Sequence, residues 1–177
     1  MSGTMRVQRR TSPLRELLET LVIAVALALL IRGFVVESFL VQGSSMEPTL
    51  HHGDRLLVNK IAYRIGSPQS GDIVVFHAPL GEDRDYIKRV IAGPGDRIRI
   101  EDGVPYVNGE PLSEPYVARP DDGSMPEMVI PPGAVFVMGD NRRNSQDSRA
   151  FGYVGVEAVV GKAMVVYWPP DAAGLLH

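Results

Sequence analysis

The chain of 177 residues has no cysteine, which excludes disulfides, thiolate catalysis, iron-sulfur clusters and cysteine-ligated zinc. Histidine is scarce: His51, His52, His77 and His177 show no HExxH or related spacing, and adjacent histidines cannot both ligate from one helix face. No metal or other cofactor is expected. An excess of positive charge is also missing. Lysine and arginine total 18 against 21 acids, a formal net charge of -3, so nothing beyond a short N-terminal arm offers nucleic acid a basic footprint. Internal repeats are absent, and past residue 36 no segment keeps a capped helical periodicity.

One long apolar run is present. It carries no charge from Thr20 to Ile31 and, with Glu19 and Arg32 near its ends, extends from Leu17 to Val36. At a helical rise these residues reach ~30 Å, one hydrocarbon thickness. Long side chains near the ends can reach the headgroups, so neither charge forbids a span. Arg6, Arg9, Arg10 and Arg15 precede the run, and the positive-inside bias then puts residues 1–16 in the cytoplasm. No small-x-small site follows the apolar core; the Ala24 Val25 Ala26 triplet lies within it. The expectation is an uncleaved anchor over 17–36, with the bilayer as a partner, the plasma membrane as location and residues 37–177 outside as one domain.

In that outer part, short apolar runs alternate with turn signals: RLLVNKIAYRI, DIVVFHA, DYIKRVIAG, DRIRIEDG, VPYVNG, AVFVMGDN and VGKAMVVYW. These read as strands of a mostly β, antiparallel domain. Asp102 Gly103 and Asn108 Gly109 supply the positive φ that type I′ turns need, so Arg97 to about Leu112 reads as a tight meander. Six prolines between Glu110 and Gly133 predict a long surface excursion over 110–133.

Directly after the apolar run comes GSSMEPTL, Gly43 to Leu50, with Ser45 as a candidate nucleophile. A serine hydroxyl needs a base within hydrogen-bond reach. His51, His52 and His77 are available, but there is no GxSxG elbow and no SxxK. A lysine base requires an apolar neighbourhood that lowers its pKa. Of Lys60, Lys88 and Lys162, only Lys88 has Tyr86, Ile87, Val90 and Ile91 around it. On a strand, Tyr86, Lys88 and Val90 share one face and Ile87, Arg89 and Ile91 the other. Both faces carry apolar residues, so alternation leaves open whether Lys88 or Arg89 points inward.

GSSMEPTL, DIVVF, DYIKRVIAGPGD and MGDNRRNSQDSRAFG, in this order after an N-terminal apolar segment, resemble the conserved boxes of bacterial type I signal peptidases. The single-span Gram-positive type is the nearer likeness. The resemblance implies an antiparallel β-sheet catalytic domain and a membrane-bound serine endopeptidase that cuts signal peptides from exported preproteins after small-x-small sites. It also implies a Ser/Lys dyad and an acyl-enzyme, with secretory preproteins and the translocation machinery as partners. By motif position Ser45 is the nucleophile, Lys88 its base and Ser145 the hydroxyl that orients the lysine amine. Asp147 and Arg149 form a supporting ion pair, and Asp140, Asn141 and Arg142 are framework. Met46, Tyr86 and Ile87 fall where substrate-pocket walls are expected, and Phe39 to Gly43 where the substrate edge is. The Ser45 N–H would hold the oxyanion with a second donor, which in some members is a serine hydroxyl at the place of Gly43; a backbone or water contact must substitute, and Ser44 is a weaker candidate. Two other classes fit the chain less well: a self-cleaving Ser/Lys protease of the repressor type, against which the apolar run argues, and a noncatalytic membrane-anchored β module.

Overall fold

In the computed structural model, which describes residues 13–81 and 83–176, the chain divides into two units, residues 1–35 and 36–177. The first holds α1 (Pro13–Phe34), a helix of 22 residues with an i,i+4 ion pair between Arg15 and Glu19 on its surface. Among the described residues no helix is long and apolar enough to cross a membrane. Charges at Arg15, Glu16 and Glu19 dilute the apolar character of α1 at one end, and at the other the expected limit at Val36 is two residues too far, because Val36 opens a strand.

The second unit is built on antiparallel strands, as the alternation of short apolar runs and turns predicted. One sheet runs through β1 (Val36–Leu40), β2 (Arg55–Asn59), β11 (Val159–Trp168), β3 (Ile73–His77), β4 (Asp85–Ala92), β9 (Ala134–Met138) and β10 (Val154–Gly155), with β12 (Gly174–Leu175) added on β11. A smaller sheet contains β7 (Glu110–Pro111), β6 (Val104–Val107), β5 (Arg97–Glu101) and β8 (Met125–Val129) in that order. The helical content of this unit is small: the single turns α2 (Ala62–Ile65) and α3 (Ser148–Phe151), with short 3-10 segments.

The meander is present as read. β5 pairs with β6 from Ile98↔Val107 to Glu101↔Val104, and Asp102, Gly103, Asn108 and Gly109 all have positive φ. Two expectations change. RLLVNKIAYRI is a strand only to Asn59; Asn59 Oδ1 then accepts the Ile61 N–H, and the chain turns into α2. The proline-rich 110–133 segment is not wholly an excursion, since β8 pairs with β5. Pro126 is tolerated there because β8 is a sheet edge, where a missing N–H costs no ladder bond.

Three apolar clusters fill the unit. Val41, Met46, Leu50, Leu56 and Val58 gather with Ile73 and Val75 in the first. Ile91, Ile98, Ile130, Phe136 and Met138 join the two sheets in the second, and Val74, Phe76, Val90, Val135 and Val137 form the third. β11 passes β2 closely at Gly161, where an added Cβ would lie 2.3 Å from the Asn59 carbonyl oxygen. Gly161→Ala is therefore expected to destabilise the domain by about 1–3 kcal/mol, the usual cost of overpacking, measured by denaturant unfolding. An unchanged midpoint would mean that β11 can shift freely.

Candidate active site

Ser45 lies in the turns after β1, and Lys88 stands in β4, four strands further along the sheet path. The two nevertheless meet, with the Lys88 Nζ donating to Ser45 Oγ at 2.8 Å and to the Ile87 carbonyl at 3.0 Å. Lys88 is only 4% exposed. Tyr86 and Val90, its neighbours on the same strand face, belong to or pack on the cluster that holds Phe76 and Phe151. The Lys88 Nζ stands 5.1 Å from the Tyr86 ring centre. Burial among these groups drives the Lys88 pKa down from 10.5 to about 8; the nearby carboxylates of Asp147 and Asp140 pull it upward, and Arg84 adds to the depression. Alternation left Lys88 and Arg89 undecided, and both are buried, on opposite faces of β4.

Arg89 binds Asp140 with two parallel bonds, Nε to Oδ1 at 3.0 Å and Nη2 to Oδ2 at 2.8 Å. Thr49 also donates to Asp140, so the acid ties β4 to the chain just after Ser45. Asn141 does this more directly: its backbone N–H donates to the Ser45 carbonyl at 3.0 Å and its side-chain amide to the Ser44 carbonyl at 3.0 Å. Asn144 donates to the Ser44 hydroxyl. Gly139 has no room for a side chain, since an added Cβ would stand 2.4 Å from the Ser45 carbonyl oxygen and 2.3 Å from Ser145 Oγ.

Asp147 and Arg149 form the expected ion pair, with Arg149 Nε and Nη2 each 2.8 Å from a carboxylate oxygen. Asp147 also accepts the Gly139 N–H at 3.0 Å and caps α3 through the Arg149 N–H. Arg142 is almost fully buried, and its carboxylate partner is Glu114. Arg149 has a second acid in Asp121. Glu114 and Asp121 escaped the sequence reading; both sit in the proline-rich segment, at a sequence distance where no local pattern marks a pairing.

Two expected placements differ. Ser145 Oγ is buried without a hydrogen-bond partner among the described residues, and Lys88 takes the Ile87 carbonyl instead of this hydroxyl. The Gly43 N–H donates to His52 Nδ1 at 3.2 Å. Gly43 is thereby committed and offers the oxyanion no donor. The Ser45 N–H has no hydrogen-bond partner among the described residues, as an anion-holding amide requires. Ser44 presents a hydroxyl already accepting from Asn144, its own proton left to donate. Met46 is 2% exposed and lies in the first core cluster, with Ile87 packed against that cluster. Tyr86 is half-buried, edge-on to Phe76. Among the described residues no group of histidines and acids is placed to hold a metal ion.

Sequence comparison places these residues in a known family. The profile described as "Signal peptidase, peptidase S26" matches residues 14–168. The chain is 42% identical over 170 residues to the probable signal peptidase I-1 of Synechocystis sp., covering 92% of this chain and 87% of that protein. Signal peptidase I of Bacillus caldolyticus is 44% identical over 162 residues, with 83% and 87% covered. Signal peptidase I T of Bacillus subtilis is 40% identical over 173 residues, with 92% and 89% covered. A peptidase, and so a hydrolase, this chain belongs to the signal peptidase family, peptidase S26.

Proposed function

We propose that the protein is a membrane-bound serine endopeptidase that removes signal peptides from exported preproteins after small-x-small sites, with Ser45 as nucleophile and Lys88 as general base. The observation that carries this reading is the 2.8 Å contact between Lys88 Nζ and Ser45 Oγ, made by a lysine whose pKa burial lowers to about 8. At pH 8, where Lys88 is about half neutral, a solvated strand lysine would be almost wholly protonated and could not accept a proton.

The steps follow from these atoms. Neutral Lys88 takes the Ser45 proton as the Ser45 oxygen bonds to the scissile carbonyl carbon. The negative charge on the carbonyl oxygen is met by the Ser45 N–H, with the Ser44 hydroxyl as the nearest second donor in sequence. Collapse breaks the C–N bond, and the Lys88 ammonium gives its proton to the leaving amine. Water then attacks the acyl-enzyme as it gives a proton to the regenerated amine; the ester C–O bond breaks, and Lys88 returns that proton to Ser45 Oγ.

The substrate is an extended chain beside Ser45. β1 is an outer strand of the large sheet, paired to β2 along one side, and leads into Val41, Gln42 and Gly43. A preprotein strand adding to that edge would gain backbone hydrogen bonds, while Met46, Tyr86 and Ile87 restrict its side chains to small ones. Asp140, Asn141, Arg142, Asp147 and Arg149 serve as the framework of the loop that fixes Ser45.

The anchor reading rests on α1. Its side chains from Leu14 to Leu29 include nine large apolar residues exposed by 51–67%, a coat that lipid covers better than water. At 22 residues the helix is ~33 Å long, although with Arg15, Glu16 and Glu19 in it the apolar stretch falls short of a full span. With residues 1–16 cytoplasmic, residues 37–177 face the exported side, where preproteins leave the translocation machinery.

Three outcomes are expected. With a precursor carrying an Ala-x-Ala site, the detergent-solubilised protein cleaves while folded Ser45→Ala and Lys88→Ala variants lose at least ~10⁴-fold in kcat/KM, as when a nucleophile or its base is removed; full activity in either removes that residue from the chemistry. The proton must leave Lys88 before it can act, so kcat/KM should rise with pH with a midpoint near 8 and level off above it. A profile flat from pH 6 to 10 would contradict a lysine base. A flexible insert after Phe34, ahead of β1, should slow cleavage of membrane-borne precursors more than of short soluble peptides, because only the former depend on attachment to the bilayer to meet the enzyme. Equal losses on both would contradict the anchor's role.

A further inference from the structure

We propose that Glu114 and Asp121 are positioning residues for the cleavage reaction, forming a strap that fixes the Ser45 turn through Arg142 and Arg149. This rests on the assignment of Ser45 and Lys88 above.

Ser45 belongs to no strand or helix, and what holds its carbonyl is the N–H of Asn141. The placement of Ser45 is therefore only as good as the placement of residues 139–142. These residues make little regular structure beyond a 3-10 turn at Arg142–Asn144. Two arginines hold them: Arg142 Nε donates to the Gly139 carbonyl at 3.0 Å, and Arg149 Nη2 donates to the Arg142 carbonyl at 2.8 Å. Each guanidinium is in turn held from outside the loop. Glu114 binds both terminal nitrogens of Arg142, at a side chain 1% exposed, and Asp121 binds Arg149 Nη1. Between these two acids the same segment makes further contacts with the site. The Tyr116 ring stacks on the Arg89 guanidinium at 4.0 Å while its hydroxyl donates to Glu114, and the Pro120 carbonyl accepts from Arg143 Nε.

The strap is fixed to the small sheet at its far end. Leu112 N–H donates to the Pro105 carbonyl and Gly103 N–H to the Gly123 carbonyl, both at 2.8 Å. At Gly103 the approach is so close that an added Cβ would fall 2.0 Å from the Asp121 carbonyl oxygen. Asp121 Oδ1 is buried with no hydrogen-bond partner among the described residues, an arrangement that weakens the fold, while its other oxygen binds Arg149. The small sheet thus reaches Ser45 through the path Gly103, Asp121, Arg149, Arg142, Gly139 and Asn141.

Full-length protein in detergent, with an Ala-x-Ala precursor peptide, tests this. Asp121→Asn should lower kcat ~10-fold with KM within about twofold, measured well below its melting temperature, since small misplacements of reacting groups cost this much or more. Asp121→Glu should restore most of kcat. Gly103→Ala, which pushes the strap without changing a charge and also strains the turn at a φ of +80°, should lower kcat with KM held. A purely structural role would lower the melting temperature of these variants and leave kcat of the folded enzyme at the wild-type value, which would overturn the proposal. If Asp121→Asn does not fold, Gly103→Ala decides alone by the same criterion. Ser45→Ala separates the two levels: cleavage surviving it removes the catalytic assignment and the strap's role with it, whereas its loss beside unchanged kcat in Asp121→Asn and Gly103→Ala removes the strap alone.

Discussion

The burial of the Lys88 amine is the constraint on which the rest of this structure depends. A lysine within a hydrogen bond of Ser45 is useless to a serine unless it can be neutral, and removing it from water is what makes it so. That environment is costly to the fold. Below pH about 8 native and unfolded chains both carry the proton, and the native state bears the desolvation cost, about 3 kcal/mol for a depression from 10.5 to about 8. Between those values the unfolded chain binds a proton that the native one does not, so stability rises with pH across that window. Asp147 and Asp140 work against the depression, and their own pairing with Arg149 and Arg89 limits how far.

The surrounding ion pairs make sense on the same terms. Arg89, Asp140, Arg142 and Asp147 are each at most 2% exposed. Buried charges of this kind seldom add stability over apolar residues of similar size, but breaking one pair leaves its partner stranded at ~3–5 kcal/mol. What they supply here is a single geometry for a loop with few ladder bonds. Arg89 ties β4, the strand of Lys88, to Asp140, and Asn141 next to it holds the backbone of Ser45. Ser45 and Lys88 come from distant parts of the chain, and this short run of sequence joins them.

What was legible in the sequence follows the range of the forces involved. Turn chemistry acts over two residues, and Asp102 Gly103 and Asn108 Gly109 appear with positive φ as read. Strand alternation acts over five or six, which located most strands but missed the turn into α2 after Asn59. The motifs placed Ser45, Lys88, Asp147 and Arg149 at one site, while Glu114 and Asp121 act across 28 residues each and had no local signature. Ser145 and Gly43 take their roles from likeness of position alone; here Lys88 donates to the Ile87 carbonyl while Ser145 Oγ has no hydrogen-bond partner among the described residues, and the Gly43 N–H goes to His52. The apolar run became a helix, with its limit moved because Val36 enters the sheet.

The most direct measurement is a titration of the Lys88 side chain itself, followed by the NMR shift of its labelled Cε in the detergent-solubilised protein, with Lys88→Ala used to assign the signal. A midpoint near 8 would bear out an amine neutralised by burial beside Ser45. A midpoint at the ordinary lysine value near 10.5 would contradict it and leave Ser45 without a base.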